Sequence, residues 1–329
     1  MEEKSKNRNA SPSAYGWVFQ VGAGITLMLE NIKDFSSLKM EGKNDDIEIT
    51  LPDGKLFAQA KSVTQIGDSR SSSTNLNGAL DVFKDDLKNA QENVVKLVYI
   101  SNIINPLLSS YPSAFEYGNT YDFSTLPTED QNKIIEKLGP NFPVEKLQIK
   151  ILRFFGEGYN KWTNVKNQIA EFLRQAIDDP TYDKILLDSW ISEFITNCAD
   201  KPQIEKSLEI NKKDIIFPLI ILVTENTVTE KMFSEVSDYD DFEGLSKKFR
   251  EVLYRKKCDY QFVSKIIGDY NSASIRNRYD YINSYWENYL EDFCFVGDDE
   301  EKEALIKLSV LSILLQKSTI NKIRKEANL

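Results

Sequence analysis

The stretch 40–62, MEGKNDDIEITLPDGKLFAQAKS, contains the side chains that metal-dependent hydrolysis of a phosphodiester requires. Its candidate residues are Glu41, Asp45, Asp46, Glu48, Gln59 and Lys61. A carboxylate can hold Mg²⁺, a second oxygen donor can share the ion, and a nearby cation can stabilise the developing charge. We expect Asp46 to bind the metal, together with the Gln59 amide and the backbone carbonyl of Ala60. Lys61 can orient the attacking water and help to deprotonate it.

These residues lie on two strand-forming runs that flank a Pro-Asp-Gly sequence, which is the composition of a β-hairpin turn. If Asp53 and Gly54 form a two-residue loop, the strand partners follow directly. Asp46 then lies opposite Lys61, at the open end of the hairpin. The hairpin would therefore bring a carboxylate and a cation together across the two strands.

Side chains alternate between the two faces of a strand, so one face of this hairpin is apolar. The other face collects Asp46, Glu48, Gln59 and Lys61. Asp45 points away from that face if the strand already runs at this position, which makes Asp46 the preferred ligand. A half-exposed hairpin with an ion pair across it explains the same pattern, and the geometry of the hairpin alone leaves both interpretations open.

The composition restricts the chemistry further. The 329 residues include no histidine, which excludes Ser-His-Asp and Cys-His nucleophiles, zincin motifs and HNH-type nucleases. The remaining oxygen ligands suit Mg²⁺ or Mn²⁺ rather than zinc. Three widely spaced cysteines predict neither a disulfide framework nor a zinc cluster. The net charge of −10 argues against a broad nucleic-acid surface and leaves a local basic groove or a DNA-binding partner possible.

Hydrophobic periodicity predicts the elements that position the hairpin. A helix is expected over 15–35, in which Gly22 and Gly24 allow close packing, followed by the hairpin, a helix over 80–91 and a strand over 94–102. This order indicates a compact α/β unit. A polar loop is expected over 63–78, a short helix over 128–138 and a further strand over 147–155, and from residue 161 onward the pattern is mainly helical. No apolar run is long enough to cross a membrane and no signal peptide is evident, so a cytoplasmic protein is expected.

Three short motifs in this order resemble the PD-(D/E)xK nuclease superfamily. They are YGWVFQ at 15–20, Glu41 followed by Asp45 and Asp46, and QAK at 59–61. A glutamine in place of the acid resembles the QxK motif of Mrr-type nucleases. The leading Gly-x-x-Phe-Gln is similar to the start of the double-stranded-DNA endonuclease domain of bacterial antiphage effectors, including CBASS effectors and the nuclease subunit of Lamassu systems.

The resemblance implies a restriction-endonuclease-like core, in which a mixed sheet with an antiparallel hairpin is flanked by helices. It assigns Gln20 and Glu41 to the same site as the hairpin residues Asp46, Gln59 and Lys61. The expected organisation is a flexible arm over 1–13, a nuclease domain over 14–157 and a helical domain for partner binding or oligomerisation over 158–329. The implied cofactor is Mg²⁺ or Mn²⁺.

The resemblance also implies partners. We expect double-stranded DNA as substrate, an SMC-like or ABC-type ATPase with an accessory subunit as the controlling complex, homo-oligomerisation in the active form, and no membrane. Two alternatives remain open. One is a stand-alone, modification-dependent restriction nuclease of the Mrr type, and the other is an inactive nuclease fold that serves as a scaffold in an ATPase complex.

Overall fold

The structure, a computed structural model, describes residues 11–41, 45–64, 72–89, 93–110, 114–199, 209–225, 227–254, 260–293 and 298–329. The chain divides into two compact units. Unit 1 comprises Met1–Phe172 with Asp183–Lys212, and unit 2 comprises Leu173–Tyr182 with Lys213–Leu329.

Unit 1 is built on a mixed sheet of seven strands. The strands are β1 Ser37–Met40, β2 Ile47–Leu51, β3 Gly54–Lys61, β4 Val94–Ser101, β5 Thr120–Asp122, β6 Leu147–Ile151 and β7 Ile210–Asn211. Their order is β5-β6-β4-β3-β2-β1-β7, in which β3, β4 and β6 are parallel and the other neighbours are antiparallel. The predicted α/β class, with an antiparallel hairpin in a mixed sheet, is confirmed.

Helices make the crossovers that parallel neighbours require. Helix α2 (Ser72–Asn89) connects β3 to β4, and helix α3 (Thr128–Leu138) lies between β4 and β6 in the chain. Both helices contribute to one core with strand residues on a single face, among them Phe57, Leu97 and Tyr99. The hairpin face that carries the polar residues is therefore covered in part by helices.

Helix α1 (Ser11–Glu30) lies on the other face of the sheet. Ile149 and Ile151 of β6 belong to the core beneath α2 and α3, so alternation turns Lys150 to the opposite side. There the buried Lys150 ammonium donates to a Glu30 carboxylate oxygen of α1 over 2.5 Å. The two faces of the sheet are thus covered by different helices.

Close packing explains two glycines of α1, as the sequence predicted. A Cβ atom built on Gly22 would lie 2.9 Å from a ring carbon of Phe154, and one on Gly24 would lie 2.7 Å from a ring carbon of Phe194. Real Cβ atoms do not approach neighbours so closely, so larger residues would push the aromatic rings away from α1.

Several boundaries differ from the prediction. The loop predicted over 63–78 becomes helix α2 from Ser72 onward, because its polar first turns still place Leu76 on the buried side with Leu80. The strand predicted over 147–155 ends at Ile151. Strands β1, β5 and β7 were not predicted, since two to four residues are too few to show an alternating pattern.

The remaining described elements are mainly α-helices. The helices are α4 Thr163–Ile177, α5 Asp183–Ala199, α6 Lys212–Thr224, α7 Glu230–Phe233, α8 Phe242–Tyr254, α9 Tyr260–Ser272, α10 Arg278–Tyr285, α11 Asp299–Leu315 and α12 Lys317–Glu326. In unit 2, α11 is central because its residues from Ala304 to Leu314 are all buried. Within the described ranges, no helix meets the length and apolarity that a membrane span requires.

Helix α5 belongs to unit 1 because it packs against α1 and β1, and β7 extends the sheet beside β1. Unit 1 therefore includes residues well beyond position 157. Of the predicted arm, residues 11–13 form the start of α1 and residues 1–10 lie outside the described residues, as do the side chains of the three cysteines. The functional domain assignment stays a prediction.

Candidate functional site

The hairpin register differs from the predicted one by two residues. Leu51 pairs with Gly54 and Glu48 pairs with Phe57, so the two loop residues are Pro52 and Asp53. A shift of two residues keeps every side chain on its predicted face, whereas a shift of one would reverse the faces. The polar face of the hairpin is therefore retained.

A contact outside the hairpin fixes this register. The Lys55 amide donates to the Asn93 carbonyl oxygen over 2.7 Å, and the Asn93 side-chain amide donates to the Asp53 carbonyl oxygen over 2.8 Å. A Cβ atom on Gly54, whose φ is +143°, would lie 2.0 Å from the Asn93 oxygen. Gly54 is thus required where β3 meets the segment before β4, and not as a central turn residue.

Asp46 and Lys61 lie together at the open end of the hairpin. The Lys61 ammonium nitrogen is 2.9 Å from Asp46 Oδ2, and the Ala60 backbone amide donates to the same oxygen over 2.8 Å. The two side chains are partly shielded, with exposed fractions of 32% for Lys61 and 14% for Asp46. Ala60 therefore contributes its N–H to this arrangement, while a role for its carbonyl as a metal ligand stays a prediction.

Asp45 does not point away from the site, because β2 begins only at Ile47 and strand alternation does not extend to Asp45. The Gln59 side-chain amide donates to Asp45 Oδ1 over 3.2 Å, and both residues are buried. Gln59 thus contacts Asp45, whereas Asp46 is held by the two residues that follow Gln59. The sequence did not predict this division of the two aspartates.

A further acid lies beside Asp45. Burial, followed by the charge of Asp86 and more weakly that of Glu48, raises the pKa of the Asp45 carboxyl to about 8, while the hydrogen bond from Gln59 acts in the opposite direction. Asp86 is on α2 and is 2% exposed. Asp86 follows the buried Phe83 by three residues, so helical spacing places this acid on the apolar side of the predicted helix. An acid on the apolar side was the sequence signal for a buried polar group, and the sequence analysis did not use it.

A cleft of about 370 Å³ opens beside the ion pair. It is lined by Ser13, Gly16, Trp17, Gln20, Glu41, Ala60, Lys61, Ser62 and Asn75. Four predicted site residues, Gln20, Glu41, Ala60 and Lys61, therefore share one cleft although they come from three segments of the chain. Asp46 adjoins it through its contacts with Ala60 and Lys61, and Gln59 is buried behind it.

Glu41 has an unusual backbone conformation at the edge of the cleft. Its φ is +50°, in the left-handed region that non-glycine residues rarely adopt, and its amide donates to the Asp46 carbonyl oxygen over 2.9 Å. Strained residues of this kind are concentrated at functional sites. The backbone hydrogen bond ties the position of Glu41 to that of Asp46.

The donor chemistry of this region fits a hard divalent cation. Glu41 and Asp46 offer carboxylate oxygens and Gln20 offers an amide oxygen, which are ligands that Mg²⁺ accepts. Among the described residues, no group of three or more acidic, cysteine or histidine side chains is placed to hold a metal. Mg²⁺ sites commonly use one or two carboxylates with waters and substrate phosphates, so this arrangement remains suitable.

Comparison with known proteins gives structural matches of low sequence identity. No protein-family model matches the chain. No curated protein is significantly similar to it in sequence. The Cap4 SAVED/CARF-domain containing receptor of Acinetobacter baumannii, solved with the cyclic trinucleotide 2'3'3'-cAAA, has a TM-score of 0.43 and 12% identity to this chain, covering 78% of it and 58% of the receptor.

The corresponding receptor of Moraxella osloensis has a TM-score of 0.43 and 12% identity, covering 77% of this chain and 60% of the receptor. The chain therefore spans less than two thirds of the length of either receptor. TM-scores and identities this low carry no argument about what the chain does.

Proposed function

We propose that the chain is a Mg²⁺-dependent double-stranded-DNA endonuclease that acts as an effector of bacterial antiphage defence. The observation that carries the proposal is the cleft in which Gln20, Glu41 and Lys61 meet beside the Asp46–Lys61 ion pair. The resemblance to PD-(D/E)xK nucleases predicted this set of residues from their motifs. The defence role rests on that resemblance alone.

The residues divide the chemistry among them. Lys61 is placed to orient a water for attack on a phosphodiester and to stabilise the negative charge that develops on the phosphate oxygens. Asp46 holds the Lys61 ammonium in position through Oδ2. Mg²⁺, when bound by Asp46 with Gln59 and Ala60 as further proposed ligands, supplies charge stabilisation at the scissile phosphate.

Gln20 and Glu41 support the same site from α1 and from the segment after β1. The side-chain amide of Gln20 can donate to a phosphate oxygen, and the Glu41 carboxylate can accept a hydrogen bond from the attacking water. No histidine is required for any of these roles, which agrees with the composition of the chain. The proposed reaction is thus hydrolysis that relies on oxygen ligands and one lysine.

We further propose control by partner subunits. The net charge of −10 favours a chain whose affinity for DNA is increased by a partner, such as an SMC-like or ABC-type ATPase with an accessory subunit. Activation would involve association of several copies of the chain. The helices beyond the sheet would supply the surfaces for these contacts.

Digestion of a supercoiled plasmid tests the proposal. The wild-type chain is tested with and without its purified partner complex. It should nick or cut the plasmid in Mg²⁺ and leave the plasmid intact in EDTA. The Lys61→Ala variant should leave the plasmid intact in Mg²⁺ and in EDTA. Absence of cleavage by the wild-type chain with Mg²⁺ and the partner complex would overturn the enzymatic proposal.

The same experiment separates the two alternatives. A stand-alone Mrr-type nuclease would cut without a partner and only when the plasmid carries modified bases. An inactive scaffold would leave the plasmid intact, and Asp46→Ala and Lys61→Ala would retain protection against phage in cells.

A further inference from the structure

One side of α1 forms a wall of the candidate active cleft. Ser13, Gly16, Trp17 and Gln20 all line the cleft, and their spacing of three and four residues places them on one side of the helix. Of these four, only Gln20 has a role in the proposed chemistry. The other three face the same space without any assigned function.

Gly16 differs from the other glycines of α1. Among the residues that the structure describes, no atom would lie within 4 Å of a Cβ atom on Gly16, whereas Cβ atoms on Gly22 and Gly24 would collide with aromatic rings. Packing therefore does not require a glycine at position 16. Glycine is less favourable than alanine inside a helix, so its presence here favours a need for open space at this position.

The cleft beside Gly16 offers groups that suit a DNA strand. The Lys61 ammonium and the Asn75 amide, with the hydroxyls of Ser13 and Ser62, can donate to phosphate oxygens. Trp17 is partly buried and adds an apolar indole surface to the same wall. A sugar–phosphate chain has both kinds of surface, because charged phosphates alternate with largely apolar sugar faces.

We propose that Gly16 and Trp17 form a contact site for one strand of the DNA substrate. The strand comes closest to α1 at Gly16, where no side chain of the described residues stands in its way. A deoxyribose packs against the Trp17 indole, and the neighbouring phosphate lies toward Lys61. This inference rests on the proposed nuclease function and extends it to residues that none of the predicted motifs assigns to substrate contact.

Gly16→Ala in the full chain tests the contact, because the added methyl group enters open space in the folded protein. Gly78→Ala is the matched control, since Gly78 is also helical, is exposed and does not line the cleft. A Cβ atom there would likewise meet no atom of the described part of the chain within 4 Å. Both variants should keep or raise the melting temperature, because each replaces a helical glycine by alanine.

Binding is measured in EDTA by fluorescence anisotropy of a short labelled DNA duplex, so cleavage does not interfere. Gly16→Ala should raise the Kd about tenfold, as a misplaced methyl group does in a close interface. Gly78→Ala should bind like the wild type. Trp17→Leu should weaken binding while Trp17→Phe largely restores it, since a ring can still pack against the sugar.

The outcomes separate this inference from the proposed function. Equal Kd values for Gly16→Ala, Gly78→Ala and wild type, with plasmid cleavage retained, would overturn the contact site and leave the nuclease standing. A wild-type chain that neither binds the duplex nor cuts the plasmid, even with the partner complex present, would overturn both. A raised Kd for Gly16→Ala alone supports the contact site.

Discussion

The Lys61 ammonium nitrogen lies 2.9 Å from Asp46 Oδ2, the oxygen that also accepts the Ala60 amide. A second and different contact lies beside it, because the Gln59 side-chain amide, next to Ala60 on β3, donates to Oδ1 of Asp45, the residue before Asp46. One aspartate therefore faces the lysine beside the cleft, and the other is buried with the glutamine. Substitutions in the two contacts should therefore have different effects.

Lys61→Met should lower plasmid cleavage by about a hundredfold or more, because the cation that stabilises the developing charge is removed. The fold should persist, since partly exposed ion pairs contribute less than about 1 kcal/mol. Lys55→Met is the matched control: Lys55 is on the same strand and lies 3.8 Å from Glu48. Equal cleavage by both variants would contradict the assigned role of Lys61.

Gln59→Glu restores the acid of the (D/E)xK motif but places a carboxylate against Asp45, with Asp86 nearby. Without metal, the free energy of unfolding should fall by about 1–3 kcal/mol, since the substitution buries a further ionisable carboxyl beside Asp45 and Asp86, where burial disfavours its charged form. Added Mg²⁺ should recover part of this loss in a thermal melt.

Gln148→Glu is the control for that substitution. Gln148 donates to the exposed carboxylate of Asp122 over 2.7 Å, so the same chemical change meets a solvated partner and should cost less than about 0.5 kcal/mol. Equal losses in the free energy of unfolding for Gln59→Glu and Gln148→Glu would contradict the assigned cause, which is the burial of the Gln59–Asp45 contact.

Asp45→Asn should reduce the pH dependence of stability. The native Asp45 carboxyl has a pKa of about 8, whereas the ordinary pKa of an aspartate is 3.8, so the folded protein binds a proton that the unfolded chain has released between these values. The free energy of unfolding therefore falls as the pH rises from about 4 to about 8. The melting temperature, measured across this pH range, should vary less with pH for Asp45→Asn than for the wild type. For Asp53→Asn, in the exposed turn, its variation with pH should match that of the wild type.

Glu41→Gly should abolish most cleavage without destabilising the protein. Glycine accepts the φ of +50° at this position, so the free energy of unfolding should stay constant or rise by up to about 1 kcal/mol. Asp178→Gly, at a φ of +61°, is a control for the backbone effect and should cut DNA normally. Full cleavage by Glu41→Gly would contradict a role for the Glu41 side chain in the reaction.

The sequence predicted the main elements of unit 1 because their patterns are strong and local. Helix α3 begins and ends at the predicted residues, and β4 lies within one residue of its predicted span. The short strand β1 was missed, because its pairing depends on β2 and β7 rather than on its own four residues. A local hydrophobic pattern cannot show which distant segment pairs with a short strand to complete a sheet.

The candidate site also depends partly on local sequence patterns and partly on long-range packing. Local sequence specifies the residue types of the hairpin and, through strict alternation, which of its side chains share a face, and a change of two residues in register leaves these faces unchanged. The register itself depends on long-range packing, since the contact of Asn93 with Lys55 comes from outside the hairpin. The tertiary structure also decided that Asp45 joins Gln59 and Asp86, because burial and long-range packing are not encoded in local spacing.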